Sequence, residues 1–377
     1  MIKSVNIKKK LRTWIEIDEK AIKSNYKTFR KIAKGMKLMG VVKSNAYGHG
    51  LLTISSILQN LAVDFLGVDS IVEASALREN GIRKPILVLG FTLPDRVKEA
   101  IKNRVSITVS DFESLNKLRK SKEKINVHVK VDTGMHRQGF FLEEIPKVIE
   151  LIKVSKNIKL EGIYTHFSSA KDPDDKTQTE LQVKKFQIAV DFFKEARFKN
   201  FITHSQSTSG AILISNKMDM LRIGIGIYGL WPSKKIEEYY KNKVILKPVL
   251  TWKSIISQIK NVPKGSGVGY DLTEKLKRDS KIAIIPIGYW HGYSRSLSSK
   301  GVVIIGNKFC KVLGRVSMDM IVVDVTDVKN AKIFDEVILL GRSGSLSVLV
   351  NELAEVSGTT NYEFVTRLNP LIERIVI

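Results

Sequence analysis

A single lysine, Lys43, stands between a short apolar run and a glycine-punctuated turn. The segment reads Met39-Gly-Val-Val-Lys-Ser-Asn-Ala-Tyr-Gly-His-Gly. An amine at the end of a strand can form a Schiff base when its surroundings lower its affinity for a proton. The glycines beside Tyr47 let the backbone and one ring approach a flat, anionic cofactor closely. Lys43 is therefore a candidate pyridoxal phosphate (PLP) lysine, although a solvated lysine at a strand end fits this segment equally well.

Further polar residues that could do chemistry follow later apolar runs. They are Lys130 and Asp132 at the end of the fifth run with Arg137 after it, His166 at the end of the sixth, Ser205 at the end of the seventh with Thr208 after it, and Arg222 near the start of the eighth. In a barrel of strand–helix units the active site lies at the carboxyl ends of the strands, and the last two loops often hold a phosphate. The hydroxyls of residues 205–209, with backbone N–H groups left uncovered at Gly224 and Gly226, predict such a phosphate site. Either loop alone would be an ordinary turn.

The elements that must position these residues follow a regular rhythm. Apolar runs alternate with helical patterns at residues 38–43, 64–69, 85–90, 105–109, 126–132, 158–166, 201–205 and 221–228. Eight strand–helix units close a (β/α)8 TIM barrel. After about residue 245, β-branched stretches between turn residues predict a smaller all-β domain with one helix over 348–356. We therefore predict an α/β fold, with a PLP-binding barrel at 20–244, a C-terminal β-domain at 245–377, and an N-terminal segment, 1–19, that joins the β-domain.

Composition limits the protein class. The 377 residues, 43% of them hydrophobic, suit a large barrel with a smaller partner domain. The lone cysteine, Cys310, excludes an intramolecular disulfide and a multi-cysteine metal centre, so we expect no metal and a reducing compartment, the cytoplasm. The basic amino terminus has no apolar core behind it, and no apolar run reaches bilayer length. We expect neither secretion nor a membrane association.

The net charge of +24 would also suit a protein that binds a polyanion. The lysines are dispersed, however. Lys20, Lys23, Lys27, Lys31 and Lys34 show the spacing of a solvated helix face, and no nucleic-acid-binding motif accompanies them. We therefore expect no nucleic-acid partner. A general attraction to anionic ligands explains the excess equally well.

Six segments, in order along essentially the whole chain, resemble the signature segments of bacterial alanine racemase, a barrel-type PLP enzyme. They are Val-Lys43-Ser-Asn-Ala-Tyr-Gly-His-Gly, Val-Asp-Thr-Gly-Met-His-Arg137, Arg222-Ile-Gly-Ile, Gly-Tyr289-Trp-His-Gly, Gly-Arg-Val-Ser-Met318-Asp319-Met and Thr-Asn-Tyr362-Glu. The resemblance implies PLP as cofactor and interconversion of L- and D-alanine, which supplies D-alanine for peptidoglycan. It also implies a head-to-tail homodimer with shared active sites.

The resemblance further implies two bases. Lys43 would be the Schiff-base lysine and the base on the D-substrate face, and Tyr270 would be the opposite base, contributed by the other subunit. Racemisation needs two such groups, because one removes the Cα proton and the other returns a proton to the opposite face. Arg222 would hydrogen-bond the pyridine nitrogen. A guanidinium does not readily give up a proton, so that nitrogen would stay unprotonated and reprotonation would be favoured over transamination.

The other implied roles concern the cofactor, the substrate and their support. His166 would support Arg222. The phosphate would be held by Tyr47, Tyr362, Ser205, Thr208, Gly224 and Ile225, and the substrate carboxylate would meet Arg137 and the backbone N–H of Met318. Lys130, which is carbamylated in many family members, would orient Arg137, and Asp319 and Tyr289 would be further supporting residues. A satisfied core histidine at 166 and a packing tyrosine at 289 are equally compatible with the sequence.

The chain departs from the family pattern at several positions. Gln206-Ser207-Thr208 stands where Ala-Asn-Ser is usual, so Thr208 keeps the hydroxyl but the asparagine amide is missing. His291 replaces an acid, Ser317 a common cysteine and Thr360 an aliphatic residue. These changes could shift substrate preference.

Three other functions compete with alanine racemisation as explanations of the sequence. A racemase of serine or of several amino acids stays open, although the bulk of Tyr362 favours a small side chain. An amino-acid decarboxylase on the same barrel would place an acid where this chain has Arg222. A polyanion-binding protein on an inactive barrel would have lost Lys43, which is present.

Overall fold

The computed structural model describes residues 10–214 and 218–377. The chain separates into two compact units. We call Lys20–Ala46 with Leu51–Pro248 the barrel unit. The β unit comprises the described residues up to Glu19, together with Tyr47–Gly50 and Val249–Ile377. The amino-terminal residues 1–9, part of the segment expected to join the β-domain and to carry no export signal, lie outside the described residues.

The barrel unit is built on one parallel sheet. The first strand of the chain, β1 (Thr13–Ile17), belongs to the β unit, and the barrel strands follow it: β2 (Lys37–Val41), β3 (Phe65–Val68), β4 (Ile86–Val88), β5 (Ser106–Val109), β6 (Ile125–Lys130), β7 (Ile158–Tyr164), β8 (Ile202–His204) and β9 (Met220–Ile223). They form an 8-stranded sheet in the order β8-β7-β6-β5-β4-β3-β2-β9. At its open edge the Arg222 N–H donates to the Gln206 carbonyl over 3.0 Å. The sheet is nearly closed, and the predicted fold class is confirmed.

Helices cover the outer face of these strands. Their bounds are Glu19–Ile32, Leu51–Asn60, Ile71–Glu79, Val97–Lys102, Phe112–Arg119, Ile145–Lys153, Thr177–Glu195, Thr208–Leu213 and Lys234–Tyr240. In the first of them the buried residues Ile22, Asn25 and Phe29 recur about once per helical turn, which is the spacing of a core-facing stripe. Because helices lie outside and side chains fill the interior, β3, β5 and β9 are buried along their whole length.

Two capping-box patterns in the barrel unit, Ser70 with Glu73 and Ser110 with Glu113, each predict the start of a helix. The first prediction is correct, because the helix Ile71–Glu79 is capped by Ser70, whose Oγ accepts the Glu73 N–H over 3.4 Å. The second is wrong by one residue. The helix Phe112–Arg119 is capped by Asp111, whose carboxylate accepts the Ser114 N–H over 2.7 Å.

The β unit contains a 10-stranded sheet, to which β1 contributes. Its other strands are β10 (Leu250–Ile255), β11 (Gln258–Val262), β14 (Ser280–Ile285), β15 (Val302–Ile305), β16 (Lys308–Leu313), β17 (Ile321–Asp324), β18 (Glu336–Ser343), β19 (Leu346–Val348) and β20 (Glu373–Val376). The order is β11-β14-β17-β16-β15-β18-β10-β1-β20, with β19 paired to β18. Two further strands, β12 (Gly267–Val268) and β13 (Glu274–Lys275), pair with each other in a separate 2-stranded sheet. Strand β1 pairs antiparallel with β10 and parallel with β20. Helices Val350–Val356 and Asn361–Thr366 complete the unit.

The eighth barrel strand is shorter than the sequence predicts. It ends at Ile223, because the Ile227 N–H donates to the Gly224 carbonyl over 2.9 Å and turns the chain. A Cβ at Gly226 would lie 2.5 Å from the Phe29 ring and 2.7 Å from Thr208 Cγ2. Gly224 and Gly226, which the apolar pattern places in a strand, therefore belong to a tight turn. In this turn Gly226 packs against Phe29 and Thr208. In the described part of the chain, no helix is long and apolar enough to cross a membrane.

Candidate active site

Lys43 begins a left-handed turn just beyond the end of β2. Ser44, Asn45, Ala46 and Tyr47 have φ values of 56°, 55°, 51° and 52°. A left-handed helical conformation costs an L-residue about 1–2 kcal/mol, so it persists only where the surroundings determine it. The sequence predicts a glycine-dependent turn here, but the strained residues carry side chains. Of residues 44–47 only Asn45 is of a type that favours this conformation, so the composition does not predict four such residues in a row.

A carboxylate fixes this turn beside the lysine. Glu73 Oε1 accepts the Asn45 N–H over 3.2 Å, and Glu73 Oε2 accepts the Asp69 N–H over 2.8 Å. Asn45 in turn accepts the Leu51 N–H through Oδ1 over 2.8 Å. Asp69 Oδ1 lies 3.3 Å from Lys43 Nζ. Glu73 therefore holds both the turn and the carboxylate that contacts Lys43.

The loop after β6 is organised by Asp132. Its carboxylate accepts the N–H groups of Gly134, Met135, His136 and Arg137 over 2.9–3.1 Å. Burial opposes ionisation, but these donors prevail and hold the pKa of Asp132 below its ordinary value. The loop that carries Arg137 is thus shaped by the acid that ends the preceding run.

Cationic side chains gather at the carboxyl ends of the barrel strands. Lys130 is 6% exposed, and burial, followed by the charges of Arg137, Arg222 and Lys43, lowers its pKa to about 8. Among residues 10–214 and 218–377, no carboxylate lies within 4 Å of the cationic groups of Lys130, Arg137 or Arg222. Lys130 and Arg222 are buried and Arg137 is exposed, and a group of cations without matching carboxylates suits an anionic ligand.

Arg222, on β9, is 4% exposed and fully engaged at its two terminal nitrogens. Nη1 donates to His204 Nδ1 and to the His204 carbonyl, both over 2.9 Å. Nη2 donates to the Thr165 carbonyl over 2.8 Å, to the Ser205 carbonyl over 3.0 Å and to His166 Nδ1 over 3.2 Å. Burial lowers the pKa of Arg222 to about 10, so it stays cationic at neutral pH. None of the described residues accepts from its Nε–H.

His166 lies beside Arg222, where the sequence places it. Burial, followed by the charges of Arg222, Arg137, Lys130 and Lys43, lowers the pKa of His166 to about 3. The imidazole is therefore neutral, and its Nδ1 accepts the Arg222 proton.

A chain of hydrogen bonds continues from Arg222 into the barrel interior. His204 Nε2 lies 2.9 Å from His128 Nδ1, and His128 Nε2 lies 3.1 Å from Glu161 Oε2. The Tyr164 ring stacks on His204 at 4.8 Å. Sequence reasoning assigned none of these residues a role. A signal was available in β6, where His128 and Lys130 alternate with valines and so share the inward face.

The candidate phosphate loops meet after β8 and β9. Thr208 begins the helix Thr208–Leu213, and its Oγ1 accepts the Gly226 N–H over 3.3 Å. Ser205, Thr208 and Ile225 are buried together at this end of the barrel. The structure thus brings the hydroxyls of one loop to the backbone of the other. The amide of Gln206 is used elsewhere, because Nε2 donates to the Ile214 carbonyl over 2.9 Å.

In the β unit, Tyr47 and Tyr362 form a pair whose ring centroids are 6.2 Å apart. Burial raises the pKa of Tyr47 to about 12, and burial with the neighbouring Tyr47 raises the pKa of Tyr362. Both phenols are therefore neutral at physiological pH and can donate a hydrogen bond.

The remaining candidates of the β unit lie at its surface. Tyr270 opens the short turn Tyr270–Leu272 and is 65% exposed. Tyr289 and Met318 are also exposed, and the Tyr289 N–H donates to the Ser317 carbonyl over 3.0 Å. Asp319 Oδ1 lies 3.9 Å from Nδ1 of His291, which is buried. The side chains of Tyr270, Tyr289 and Met318 are thus open to solvent on the β unit.

Comparisons with known proteins agree along the chain. Residues 17–232 match the model of the alanine racemase N-terminal domain, and residues 249–376 match that of the C-terminal domain. The alanine racemase of Methanococcus maripaludis is 37% identical over 372 residues, 97% of this chain and 98% of the relative. That of Clostridium perfringens is 40% identical over 370 residues, 96% and 94% of the two chains.

Solved structures give the same picture. The alanine racemase of Clostridium difficile 630 superposes with a TM-score of 0.91 at 33% identity, covering 97% of this chain and 96% of the other. That of Bacillus anthracis with bound L-Ala-P superposes with a TM-score of 0.90 at 30% identity, covering 97% and 95%.

Proposed function

Because this chain belongs to the alanine racemase family, we propose that it interconverts L- and D-alanine with PLP by a two-base mechanism in which Lys43 and Tyr270 serve opposite faces of the substrate. The observation that carries the proposal is the position of Lys43. It lies just beyond the first barrel strand, at the same end of the barrel as Lys130, Arg137 and Arg222. A reactive amine among uncompensated cations suits an anionic aldehyde cofactor and a carboxylate substrate.

The residues present fit PLP. When bound, PLP holds the substrate amine and withdraws electrons from Cα, so that the Cα proton becomes removable. Lys43 would hold the cofactor covalently, and Ser205, Thr208, Gly224 and Ile225 would hold its phosphate. Tyr47 and Tyr362 would add neutral phenol donors. The Nε–H of Arg222, which no described residue accepts, suits the pyridine nitrogen.

Arg222 also decides the outcome of the reaction. It is a donor only, and its pKa of about 10 keeps its protons on the guanidinium at neutral pH. Arg222 would donate a hydrogen bond to the pyridine nitrogen of PLP without transferring a proton to it. His166 and His204 hold the guanidinium by accepting from its terminal nitrogens. These contacts favour return of the proton to Cα over transfer to another carbon.

Arg137 and the backbone N–H of Met318 would bind the substrate carboxylate. Lys130 would orient Arg137 after carbamylation. The support for this step is electrostatic, because carbamylation needs a neutral amine and Lys130 has a pKa of about 8. The cations that lower this pKa would also stabilise the anionic carbamate. Asp319 and Tyr289 would support the Met318 segment from the β unit.

The second base requires assembly. Tyr270 is exposed on the β unit, and we propose that it enters the site of the partner subunit in a head-to-tail homodimer. Lys43 would remove or return the proton on one face of Cα, and Tyr270 of the partner subunit would do so on the other.

The biological setting follows from the family. We propose that the protein works in the cytoplasm and supplies D-alanine for peptidoglycan. The free Cys310 thiol is buried, which is compatible with a reducing compartment. A racemase of serine or of broader specificity is the second candidate, because Ser317, His291 and Thr360 differ from the usual family residues.

One experiment tests the proposal. Purified protein, incubated with PLP and reduced with borohydride, should carry the pyridoxyl group on Lys43, as peptide mass measurement can show. The unreduced protein should racemise L- and D-alanine faster than L-serine. A pyridoxyl group on another lysine, or faster turnover of serine, would overturn the site assignment or the substrate assignment respectively.

A further inference from the structure

Arg374, near the end of the chain in β20, collects main-chain carbonyls from two separate segments of the β unit. Its Nε and Nη2 donate to the Gly48 carbonyl over 3.3 Å and 2.9 Å. The other acceptors are the carbonyls of Asn369 at 2.8 Å, Pro370 at 3.0 Å and Leu368 at 3.4 Å, together with that of Ile372. One guanidinium therefore joins residue 48 to the loop over residues 368–372.

The charge of Arg374 has no carboxylate partner in the described ranges. Burial lowers its pKa to about 10, so placing the charge here is unfavourable in itself. Carbonyl dipoles alone compensate it. A planar fork of fixed donors meets several carbonyls at once, which a lysine ammonium on a flexible stem does not. Arg374 therefore holds the two segments together by hydrogen bonds to their carbonyls and not by an ion pair.

The segments that Arg374 joins both carry tyrosines of the candidate site. Gly48 follows Tyr47 directly and has a φ of +80°. A Cβ on Gly48 would lie 1.8 Å from the Val365 carbonyl, so the backbone meets the helix Asn361–Thr366 at its closest possible approach. That helix carries Tyr362, and the loop 368–372 follows it. Arg374 therefore fixes the end of the strained turn against the segment that holds Tyr362.

We propose that Arg374 is a positioning residue for the cofactor, which keeps Tyr47 and Tyr362 together as a pair of phosphate donors. The inference rests on the proposed function, because the phosphate role of these tyrosines is itself proposed. Nothing in the sequence motifs singles out Arg374. Its role follows from its hydrogen bonds to main-chain carbonyls, above all to that of Gly48, which directly follows the strained residues 44–47.

The test compares Arg374→Met and Arg374→Lys with a matched control, Arg367→Gln. Arg367 lies just before the same loop but is exposed, and its Nη2 contacts only Glu363, over 2.8 Å, in the adjacent helix. For each full-length apoprotein, the PLP dissociation constant is measured by absorbance titration, and amide hydrogen exchange is measured over residues 44–51 and 368–372. Both Arg374 variants should bind PLP at least about tenfold more weakly and exchange faster in both segments. Arg367→Gln should match the wild type.

Two results would contradict the inference. The first is faster exchange confined to residues 368–372 with unchanged PLP affinity, which would reduce Arg374 to a structural anchor of the loop. The second is an Arg374→Lys variant that matches the wild type in both measurements; this variant keeps the charge and serves if Arg374→Met does not fold. If the wild-type protein itself fails to bind PLP, the proposed function is wrong. Hydrogen exchange then still tests whether Arg374 holds the turn in place, because exchange at residues 44–51 should be slow in the wild type and faster in the Arg374 variants.

Discussion

His204 Nδ1 lies 2.9 Å from Arg222 Nη1, and this contact sets the direction of hydrogen bonding through the barrel interior. Arg222 can only donate, so Nδ1 of His204 accepts and the ring proton sits on Nε2. That proton is donated to His128 Nδ1, and the remaining proton of His128 is donated to the Glu161 carboxylate. Burial, followed by the charge of Arg222, keeps the pKa of His204 well below its ordinary value. Through this chain of hydrogen bonds, the Glu161 carboxylate therefore holds the Arg222 guanidinium in place.

The first prediction is that Glu161→Gln destabilises the protein in a pH-dependent manner. Burial opposes ionisation of Glu161, but hydrogen bonds from His128 and Ser106 prevail and hold its pKa below the ordinary value. A carboxyl group with a lowered folded-state pKa stabilises the fold above its unfolded-state pKa, and this contribution disappears as the pH falls through the folded-state value. Losing the charged acceptor should cost about 2 kcal/mol at pH 7.

Urea unfolding of wild type and Glu161→Gln at several pH values checks this prediction. The difference in unfolding free energy should be largest near neutrality and should shrink below about pH 4, under the ordinary glutamate pKa. A difference that is independent of pH would show that the Glu161 charge does not matter.

The second prediction concerns carbamylation of Lys130. Its pKa of about 8 leaves a substantial neutral fraction near pH 7.5, which can react with dissolved CO2. Native protein in labelled bicarbonate should show one carbamate carbon signal, and Lys130→Met should lack it. This variant should raise the KM for alanine about tenfold, the equivalent of about 1.4 kcal/mol, because Arg137 loses an anionic partner. Lys159→Met is the control, since Lys159 is an exposed lysine on β7. An unchanged KM in Lys130→Met would argue against the role.

The third prediction is that Arg222→Glu slows racemisation and raises transamination. A carboxylate beside the pyridine nitrogen favours the protonated ring, so electrons withdrawn from Cα are delocalised further and the proton returns more slowly. The measurement is pyruvate released per racemisation event. Arg222→Lys keeps the positive charge and should leave this ratio close to wild type. Equal ratios in Arg222→Glu and wild type would mean that the residue at position 222 does not control the ring nitrogen.

The fourth prediction tests strain in the turn after Lys43. Ser44 is exposed and has a φ of 56° and a ψ of 53°. Ser44→Val should lower the unfolding free energy by about 1–2 kcal/mol, because a β-branched residue is least compatible with this conformation. Ser44→Gly, the matched control at the same position, should be neutral or stabilising. Thermal unfolding of the two variants measures the difference, and equal midpoints would show that the turn is not strained in solution.

Much of the fold could be predicted because it depends on periodic burial. Each predicted apolar run overlaps one barrel strand of the structure, although β2, β6 and β9 begin one residue before their runs. The ends were less certain. The run 221–228 continues through Gly224 and Gly226 as apolar sequence, yet the chain turns there, because the Ile227 N–H donates to the Gly224 carbonyl and Gly226 packs against Phe29 and Thr208. Strands such as β11 and β20 could not be predicted individually, because they are short and largely exposed and their sequences do not alternate clearly.

The site could be predicted in part, and for a different reason. Lys43, Arg137 and His166 end or follow apolar runs, and the barrel rule brings such positions to one rim. Arg222 lies near the start of its run, 221–228, but near the end of the shorter strand β9. His128 and Glu161 lie within the strands, where a polar residue resembles an interruption of the core. Their importance depends on partners far away in sequence, such as His204 with His128. The role of Arg374 could not be predicted for the same reason, because a sequence does not show which main-chain carbonyls a side chain contacts.

The fifth prediction tests the central claim, that each active site combines Lys43 of one subunit with Tyr270 of the partner subunit. Lys43→Ala and Tyr270→Phe should each be nearly inactive. Co-expressed, they should form heterodimers in which one site carries both defects and the other carries neither, which by symmetry restores up to about half of wild-type activity per heterodimer. The measurement is the alanine racemisation rate of heterodimers verified by native mass measurement. Activity near half of the wild type is the result that the two-base, shared-site account predicts, whereas inactive heterodimers would place both bases on one chain and contradict it.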